Sequence, residues 1–189
     1  EENMSKLVSV VIPTHNRADL LPRAIDSVLN QTYTNFEILV VSDGSTDNTE
    51  EVVKAYSDKD ARVKYYGYSP ARGGNIARNT GIEASHGEYI AFLDDDDEWL
   101  PEKLEKQVML LNQNDNVGLV YTGVHIIYVN EKVEYNSMSK ERGDLKKRIL
   151  IDNCVGTTST VVLRKSILQK SGMFDIELKA LQDFDLWIR

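Results

Sequence analysis

Short apolar runs alternate with segments whose apolar residues recur every three or four positions. The runs at 7–12, 36–41, 63–66 and 88–93 are strand-sized and rich in branched or aromatic residues, which is typical of strands buried on both faces. The segment 19–31 between the first two runs has helical periodicity. This repeated strand and helix order predicts an α/β fold, with a mostly parallel sheet flanked by helices.

The starts of the predicted helices carry local signals. Pro22 falls in the first turn of the first helix, and Pro101 falls at the first position of the fourth, where a missing N–H costs no intrahelical bond. Asp47 and Glu50 form a weak capping box for the second helix. The third helix is expected through 76–84. Ligands bind beyond the carboxyl ends of strands in such folds, so the loops after the strands are the candidate sites.

The regular alternation of predicted strands and helices ends at about residue 116, and an α+β region is expected after it. Its predicted strands are 117–121, 124–129, 133–135 and 158–163. No Pro/Gly/Ser-rich linker divides the chain, so we predict one domain over 1–189 with a first half at about 5–115 and a smaller, mixed half at about 116–189. The last residues, 185–189, resemble the middle of an amphipathic helix, and we expect the chain to be truncated there.

Charge and cysteine content exclude several classes of protein. With 22 basic and 30 acidic residues the net charge is −8, which disfavours nucleic acid as a partner. Cys154 is the only cysteine, so an intrachain disulfide is excluded and a reducing compartment is favoured. No apolar run reaches the roughly 20 residues of a membrane span, and the first residues lack a secretory signal. We therefore expect a cytoplasmic protein.

The acidic run 94–98 directly follows a predicted buried strand. A solvated surface loop is the simplest interpretation of such a run. However, the backbone at a strand end is fixed, so a divalent cation such as Mg²⁺ or Mn²⁺ would relieve the repulsion between its carboxylates. An EF-hand is excluded, because its sixth position would be Trp99 and Pro101 would interrupt the loop. An aspartyl phosphatase with Asp94 and Asp96 as its D-x-D pair stays open as an alternative.

Other polar groups follow the neighbouring strands. The loops 13–17 and 42–47 end at the same edge of the predicted sheet, where the Asp43 carboxylate could accept a hydrogen bond from a base or a ribose. A guanidinium such as that of Arg72 or Arg78 could neutralise phosphate charge. Asp183, before an apolar helix, is either a helix cap or a general base. Neither a Rossmann fingerprint nor a P-loop occurs.

Five segments in order resemble family 2 glycosyltransferases of the GT-A fold, a Rossmann-like fold. The segments are VSVVIPTHNR at 8–17, ILVVSDGSTDNT at 38–49, ARN-x-G at 77–81, GEYIAFLDDDDEW at 87–99, and SGMFD with LQDFDLWIR at 171–189. By this resemblance the first half binds a nucleotide sugar and the second half lies on the acceptor side. The resemblance also implies these roles: Pro13, Thr14, Asn16 and Asp43 line the nucleotide pocket, Arg72 and Arg78 lie near the base or diphosphate, Asp95 approaches the ribose, Asp96 ligates Mn²⁺ or Mg²⁺ with Asp94 as the second acid of the D-x-D pair, and Asp183 is the general base.

The expected activity is therefore inverting, metal-dependent sugar transfer from a nucleotide diphosphate donor to an acceptor hydroxyl. UDP is the expected nucleotide, and a saccharide or lipid-linked glycan is the expected acceptor, in glycan or cell-surface polysaccharide synthesis. Family members continue past this helix, so a peripheral contact with the inner face of the membrane is expected through the missing segment. A nucleotide-sugar-binding module without turnover is the non-enzymatic alternative.

Overall fold

A computed structural model describes residues 5–128, 130 and 132–189 of the chain. The strands are β1 (Val8–Thr14), β2 (Phe36–Asp43), β3 (Val63–Tyr68), β4 (Tyr89–Phe92), β5 (Leu119–Tyr121), β6 (Val124–Tyr128), β7 (Val133–Ser137) and β8 (Val161–Arg164). The helices are α1 (Leu21–Leu29), α2 (Thr49–Ser57), α3 (Gly74–Ala84), α4 (Lys103–Gln113), α5 (Lys165–Ser171) and α6 (Gln182–Ile188), with a 3₁₀ turn at Thr158–Thr160.

The main sheet has six strands in the order β3-β2-β1-β4-β8-β5. Strands β1 to β4 are mutually parallel where they pair, whereas β8 runs antiparallel to both β4 and β5. Strands β6 and β7 form a separate antiparallel pair. The predicted α/β class, with a mostly parallel sheet flanked by helices and a smaller mixed region, is confirmed.

Alternate residues of the central strands are buried on opposite faces of the sheet. Val10 and its neighbours on one face pack in a cluster that includes Ile25 of α1 and Leu104 of α4. Val11 belongs to a second cluster on the other face, which includes Ala77 of α3 and residues of α5 and α6. Apolar burial on both faces explains why the strands of the first half are near-continuously apolar.

Some boundaries differ from the predicted ones. Strand β1 continues through Pro13 to Thr14, because its pairing with β4 ends at Val11 and Pro13 has no partner on that side. Helix α4 begins at Lys103 rather than at Pro101, and Asn48 rather than Asp47 precedes α2. The start of the predicted strand 158–163 forms the 3₁₀ turn. Val129, the predicted end of β6, lies outside the described residues.

One glycine decides how closely α3 approaches the sheet. A Cβ atom on Gly81 would lie 2.3 Å from a methyl carbon of Val11, so only glycine allows this contact between α3 and β1. Across the described part of the chain, no helix combines the length and the apolarity that a bilayer crossing requires.

Candidate functional site

A cavity of about 420 Å³ lies at the carboxyl edge of the sheet, where β1, β2 and β4 end. Its wall is completed by the first turns of α3. The lining residues are Pro13, Thr14, His15, Arg17, Asp43, Gly74, Ala77, Arg78, Asp94, Asp95 and Asp96. The acidic loop and the loops after β1 and β2 therefore meet at one site, as expected for an open α/β sheet.

The loops after β1 and β2 are joined by Asn16. Its side-chain oxygen accepts hydrogen bonds from the backbone N–H groups of Thr46, at 2.7 Å, and of Asp47, at 3.3 Å. The backbone of Asn16 is in the left-handed region, with φ of 52°, which asparagine tolerates better than most residues. Asn16 thus holds two loops together and is not among the residues that line the cavity.

Asp43 connects the end of β2 to the loop after β3. Its carboxylate accepts the backbone N–H groups of Arg72, at 2.6 Å, and of Gly73, at 2.8 Å. The neighbouring Gly44 has φ of 64°, and a Cβ there would lie 2.3 Å from the backbone nitrogen of Ala71. These contacts bring the loop before α3 beside the cavity, which Asp43 also lines.

Two arginines form ion pairs with the acidic loop at the end of β4. Arg78, whose side chain is 11% exposed, donates to Asp94 at 2.7 Å. Arg17 donates from a single nitrogen to Asp95, at 2.9 Å, and to Asp96, at 3.0 Å. Burial raises the pKa of Asp95, and the nearby Arg17 opposes this effect. The guanidinium of Arg17 therefore occupies a place between two carboxylates that a metal cation could also take.

The 3₁₀ turn at Thr158–Thr160 supports the acidic loop from the second half of the chain. The Ser159 hydroxyl accepts the backbone N–H of Asp94 at 3.0 Å, and the Thr158 hydroxyl lies 3.2 Å from a carboxylate oxygen of Asp94. The indole N–H of the buried Trp99 donates to the Ser159 carbonyl at 2.8 Å. Both ends of the acidic loop are thereby fixed, so its carboxylates cannot simply move apart.

The charges that line the cavity suit a divalent cation. Four carboxylates and two guanidinium groups leave a formal charge of −2 with His15 neutral. No group of three or more His, Cys, Asp or Glu side chains among the described residues is arranged to enclose a metal by itself. Mg²⁺ and Mn²⁺ commonly take only one or two protein carboxylates and complete their coordination with phosphate and water. The donor set fits this kind of metal site.

The buried Nε of Arg78 has no hydrogen-bond partner within the described residues, whereas the buried Thr14 hydroxyl lies beside the Asp95 carboxylate and lowers its pKa. Both residues line the cavity. Buried polar groups usually find a partner, so the Nε of Arg78 is an exception in a side chain that otherwise donates to Asp94. Arg78 also lies against the Phe174 ring, with its guanidinium carbon 5.6 Å from the ring centroid, which holds it in place.

Asp183 lies in the first turn of α6. One of its carboxylate oxygens accepts the backbone N–H of Phe184 at 2.8 Å, and the side chain does not line the cavity as the structure describes it. The helix cap is Leu181, in the left-handed region with φ of 58°, so the alternative of Asp183 as a cap is wrong. The chain before α6 packs on the cavity wall through Asn79 of α3 and Phe174.

The structure thus brings together most of the residues proposed from the sequence. The cavity is lined by Pro13, Thr14, Asp43, Arg78, Asp94, Asp95 and Asp96, whereas Asn16, Arg72 and Asp183 lie outside its lining. The Arg72 guanidinium instead lies 5.6 Å from the centroid of the Tyr68 ring. The sequence analysis gave Arg17 no role beyond membership of a polar loop, and it gave Thr158 and Ser159 no role. For Arg17 there was one usable signal, namely a basic residue at the end of the segment 8–17. For Thr158 and Ser159 there was none.

A sequence model described as Glycosyl transferase family 2 matches residues 9–172. The chain belongs to this family. Family 2 membership accounts for the sheet, whose carboxyl edge carries the acidic loop, and it leaves the aspartyl phosphatase alternative without support.

Named relatives of this family 2 chain are glycosyltransferases. An uncharacterized glycosyltransferase of Rickettsia typhi is 37% identical, over 100% of this chain and 60% of its own length. The Escherichia coli protein WfgD, named UDP-Glc:alpha-D-GlcNAc-diphosphoundecaprenol beta-1,3-glucosyltransferase, is 35% identical over 96% of this chain and 68% of its own length. The chain spans 60% and 58% of the lengths of two Rickettsia relatives.

Solved structures place the chain among GT-A glycosyltransferases. The Staphylococcus aureus TarS 1-349 complex with UDP-GlcNAc has a TM-score of 0.73 and 26% identity, over 95% of this chain and 52% of that one. The mannosyltransferase PcManGT from Pyrobaculum calidifontis, in complex with GDP-Man and Mn²⁺, has a TM-score of 0.72 at 20% identity, over 94% of this chain and 50% of that one. The latter shows the shared fold.

Proposed function

We propose that this chain binds a UDP-sugar in the 420 Å³ cavity and transfers the sugar, with inversion, to an acceptor hydroxyl. The observation that carries the proposal is the meeting of the acidic loop with two arginines at the carboxyl edge of the sheet. The UDP-GlcNAc complex of the similar TarS structure supports a uridine nucleotide. The lipid-linked substrate in the name of WfgD supports a lipid-linked acceptor, and a role in glycan or cell-surface polysaccharide synthesis is part of the proposal.

Asp96 is the proposed metal ligand, and Asp94 is the second acid of the D-x-D pair. When bound, Mn²⁺ or Mg²⁺ would stabilise negative charge on a departing diphosphate. The Mn²⁺ in the PcManGT complex supports this choice of ion. Arg78 is held at the cavity by Asp94 and Phe174, and its guanidinium can neutralise phosphate charge there.

The nucleoside end of the donor is assigned to the loops after β1 and β2. The Asp43 carboxylate already fixes the loop before α3, and as a residue that lines the cavity it can also accept an N–H of the base through a remaining lone pair. Pro13 and Thr14 form the adjacent wall. Asn16 and Arg72 act indirectly in this proposal, because one holds the two loops together and the other contributes its backbone N–H to Asp43.

Asp183 is the proposed general base toward the acceptor hydroxyl. It begins a helix whose preceding segment is attached to α3 beside Arg78, so the acceptor would approach the donor from this side of the cavity. The position of Asp183 outside the cavity lining agrees with a role toward the acceptor rather than the nucleotide. Residues 1–189 then form one domain with a donor half and an acceptor half.

Metal-linked nucleotide binding is the test of this function. With Mn²⁺ and UDP at one hundred times its Kd, the parent protein should gain about 2.7 kcal/mol of stability, because UDP binds the native state. Calorimetry should show that Asp96→Asn weakens Mn²⁺-dependent UDP binding by about tenfold or more, since a metal ligand is lost.

Glu98→Gln is the matched control, because Glu98 belongs to the same acidic run but does not line the cavity. Its UDP affinity should equal that of the parent. Equal affinity of Asp96→Asn and the parent, with circular dichroism showing intact folds, would contradict the metal assignment. A protein that binds UDP-sugar but transfers nothing to lipid-linked acceptors would instead be a binding module.

A further inference from the structure

A single exposed turn combines basic and aliphatic side chains. Residues 145–151, here called the basic turn, are stabilised by a hydrogen bond from the Ile149 N–H to the Leu145 carbonyl at 2.8 Å. Leu145 and Ile149 pack into the hydrophobic cluster beneath. Leu150 and Ile151 are instead 67% and 77% exposed, and they are accompanied on the surface by Lys146 and Lys147.

The third basic side chain of the turn, Arg148, is paired within the protein. Arg148 donates to Glu141 at 3.0 Å and to Asp152 at 2.9 Å, so its charge is used within the protein. Lys147 makes no ion pair with any residue that the structure describes, and the Nζ of the exposed Lys146 lies 3.7 Å from Asp144. Two lysine ammonium groups are therefore available beside two exposed aliphatic side chains.

The local charge is opposite in sign to that of the whole chain. Residues 138–151 contain five basic and two acidic residues, a net charge of +3, whereas the chain carries −8. Because charges more than about 8 Å away are largely screened at physiological salt, an anionic surface would be attracted to this segment and repelled by most of the rest. Such a charge distribution favours one orientation of the protein on that surface.

We propose that the basic turn docks the protein on an anionic phospholipid bilayer. Leu150 and Ile151 would enter the boundary between head groups and acyl chains, while Lys146 and Lys147 would bind lipid phosphates. The strength of such binding increases with the apolar area that enters the interface and with the electrostatic attraction to anionic lipids, and the basic turn supplies both.

The position of the basic turn connects this surface with the proposed function. The turn leads into the 3₁₀ turn that supports the acidic loop. It precedes β8, whose start lies beside the carboxyl end of the antiparallel β4. The Tyr121 hydroxyl, at the end of β5 opposite Val161, donates to the Glu141 carbonyl, which attaches the segment just before the basic turn near the edge of the sheet that carries the cavity. This placement would present the cavity to an acceptor attached to a membrane lipid, a consequence that rests on the proposed function.

Vesicle sedimentation without nucleotide tests the docking surface separately from catalysis. The parent should bind vesicles of 30% phosphatidylglycerol in phosphatidylcholine, should not bind pure phosphatidylcholine, and should dissociate as salt rises. Lys146→Gln/Lys147→Gln should weaken binding by roughly tenfold or more, since each lysine adds attraction to an anionic surface. Leu150→Ser/Ile151→Ser should weaken it to a similar extent through lost apolar insertion.

Matched controls separate this surface from general effects of charge and hydrophobicity. Lys54→Gln/Lys59→Gln, at exposed positions on α2 and just after it, and Met109→Ser/Leu110→Ser on α4 should bind like the parent. Equal binding of the parent to both vesicle types, or parental binding by both basic-turn variants, would overturn the proposal, as would binding only to an acidic protein. UDP binding measured on the same samples reports the proposed function independently.

Discussion

At the scale of single residues, Arg17 is the clearest case of a side chain that could occupy the place of a metal. Its guanidinium contacts Asp95 at 2.9 Å and Asp96 at 3.0 Å. Because like charges repel, removing this cation should raise the affinity of the protein for Mn²⁺ alone by about tenfold in Arg17→Gln. Free Mn²⁺ is measured directly by its electron paramagnetic resonance signal.

Arg23→Gln is the control for Arg17. Arg23 donates to the backbone carbonyl of Asp96 and lies 3.9 Å from Glu98, but it does not line the cavity, so its loss should change Mn²⁺ affinity much less. Unchanged or weaker Mn²⁺ binding by Arg17→Gln would show that the Arg17 guanidinium does not compete with the metal for the position between Asp95 and Asp96.

For Asp183, measurement can separate a role in sugar transfer from a role in donor binding. Asp183→Asn keeps the size of the side chain but removes its capacity to accept a proton. Transfer should fall by about 10²- to 10⁴-fold, while UDP-sugar affinity stays near that of the parent, because the base acts mainly in the transition state. Sugar transfer to a lipid-linked acceptor is the measurement. Near-parental turnover would remove Asp183 as the base, and Asp185→Asn is the matched variant.

The sequence could indicate which residues belong to the site, but it could not indicate which hydrogen-bond or ion-pair partner each side chain has. Asp94, Asp95 and Asp96 follow a buried strand, so their place was fixed by the sheet. Asn16 and Arg72 lie in loops, where the choice of partner depends on backbone angles such as the positive φ of Asn16. Thr158 and Ser159 approach Asp94 from about 65 positions away, a contact without any local sequence signal.

At the scale of elements, the buried Glu37 connects β2 with its neighbours. Its carboxylate accepts hydrogen bonds from Ser9 of β1, Lys64 of β3 and the backbone N–H of His86, each at 2.7 Å. Burial alone would raise the pKa of Glu37, but these donors together lower it to about 2. The ionised carboxylate thus stabilises the fold at neutral pH.

The stability that Glu37 provides should depend on pH with a definite sign. Because its folded pKa lies below the ordinary value of 4.5, its contribution is present above about pH 4.5 and is lost as the pH falls toward 2. Glu37→Gln should cost about 1–3 kcal/mol at pH 7, since Lys64 loses its charged partner. The difference in free energy of unfolding from the parent should shrink toward pH 2 in urea titrations. Exposed Glu50→Gln should show no such trend, and a pH-independent difference would contradict this account.

The elements of the first half were predictable because each strand is buried on both faces and each helix has one apolar face. Strands β5, β6 and β7 of the second half were also predicted close to their observed positions, although β5 and β6 are short and only partly buried and β7 is exposed. The 3₁₀ turn before β8 was missed. Its residues are buried polar ones whose hydrogen bonds come from distant parts of the chain.

At the scale of the whole molecule, the two halves share one sheet, and the second half packs against α3, whose first turns line the cavity. Strand β8 of the second half pairs with β4 of the first, and the side chain of Asn75 donates to the carbonyls of Asp175 and Leu178. That residues 1–189 are one domain stays a prediction, as does the cytoplasmic location. The attachment of the segment before α6 to α3 nevertheless determines where Asp183 can act.

Asn79 gives the most direct test of this attachment. Its amide donates to the Phe174 carbonyl at 2.9 Å and accepts the Phe174 N–H at 3.0 Å, so Asn79→Ala leaves both backbone groups without a partner, at a cost of about 1–3 kcal/mol each. Hydrogen exchange should accelerate in residues 173–189 but not in β1 or β4, and transfer should fall while UDP affinity stays within about twofold. Asn30→Ala, at the exposed end of α1, is the control. Faster exchange throughout the sheet would mean that Asn79 supports the global fold, and unchanged exchange in 173–189 would mean that α6 is held by its apolar contacts alone.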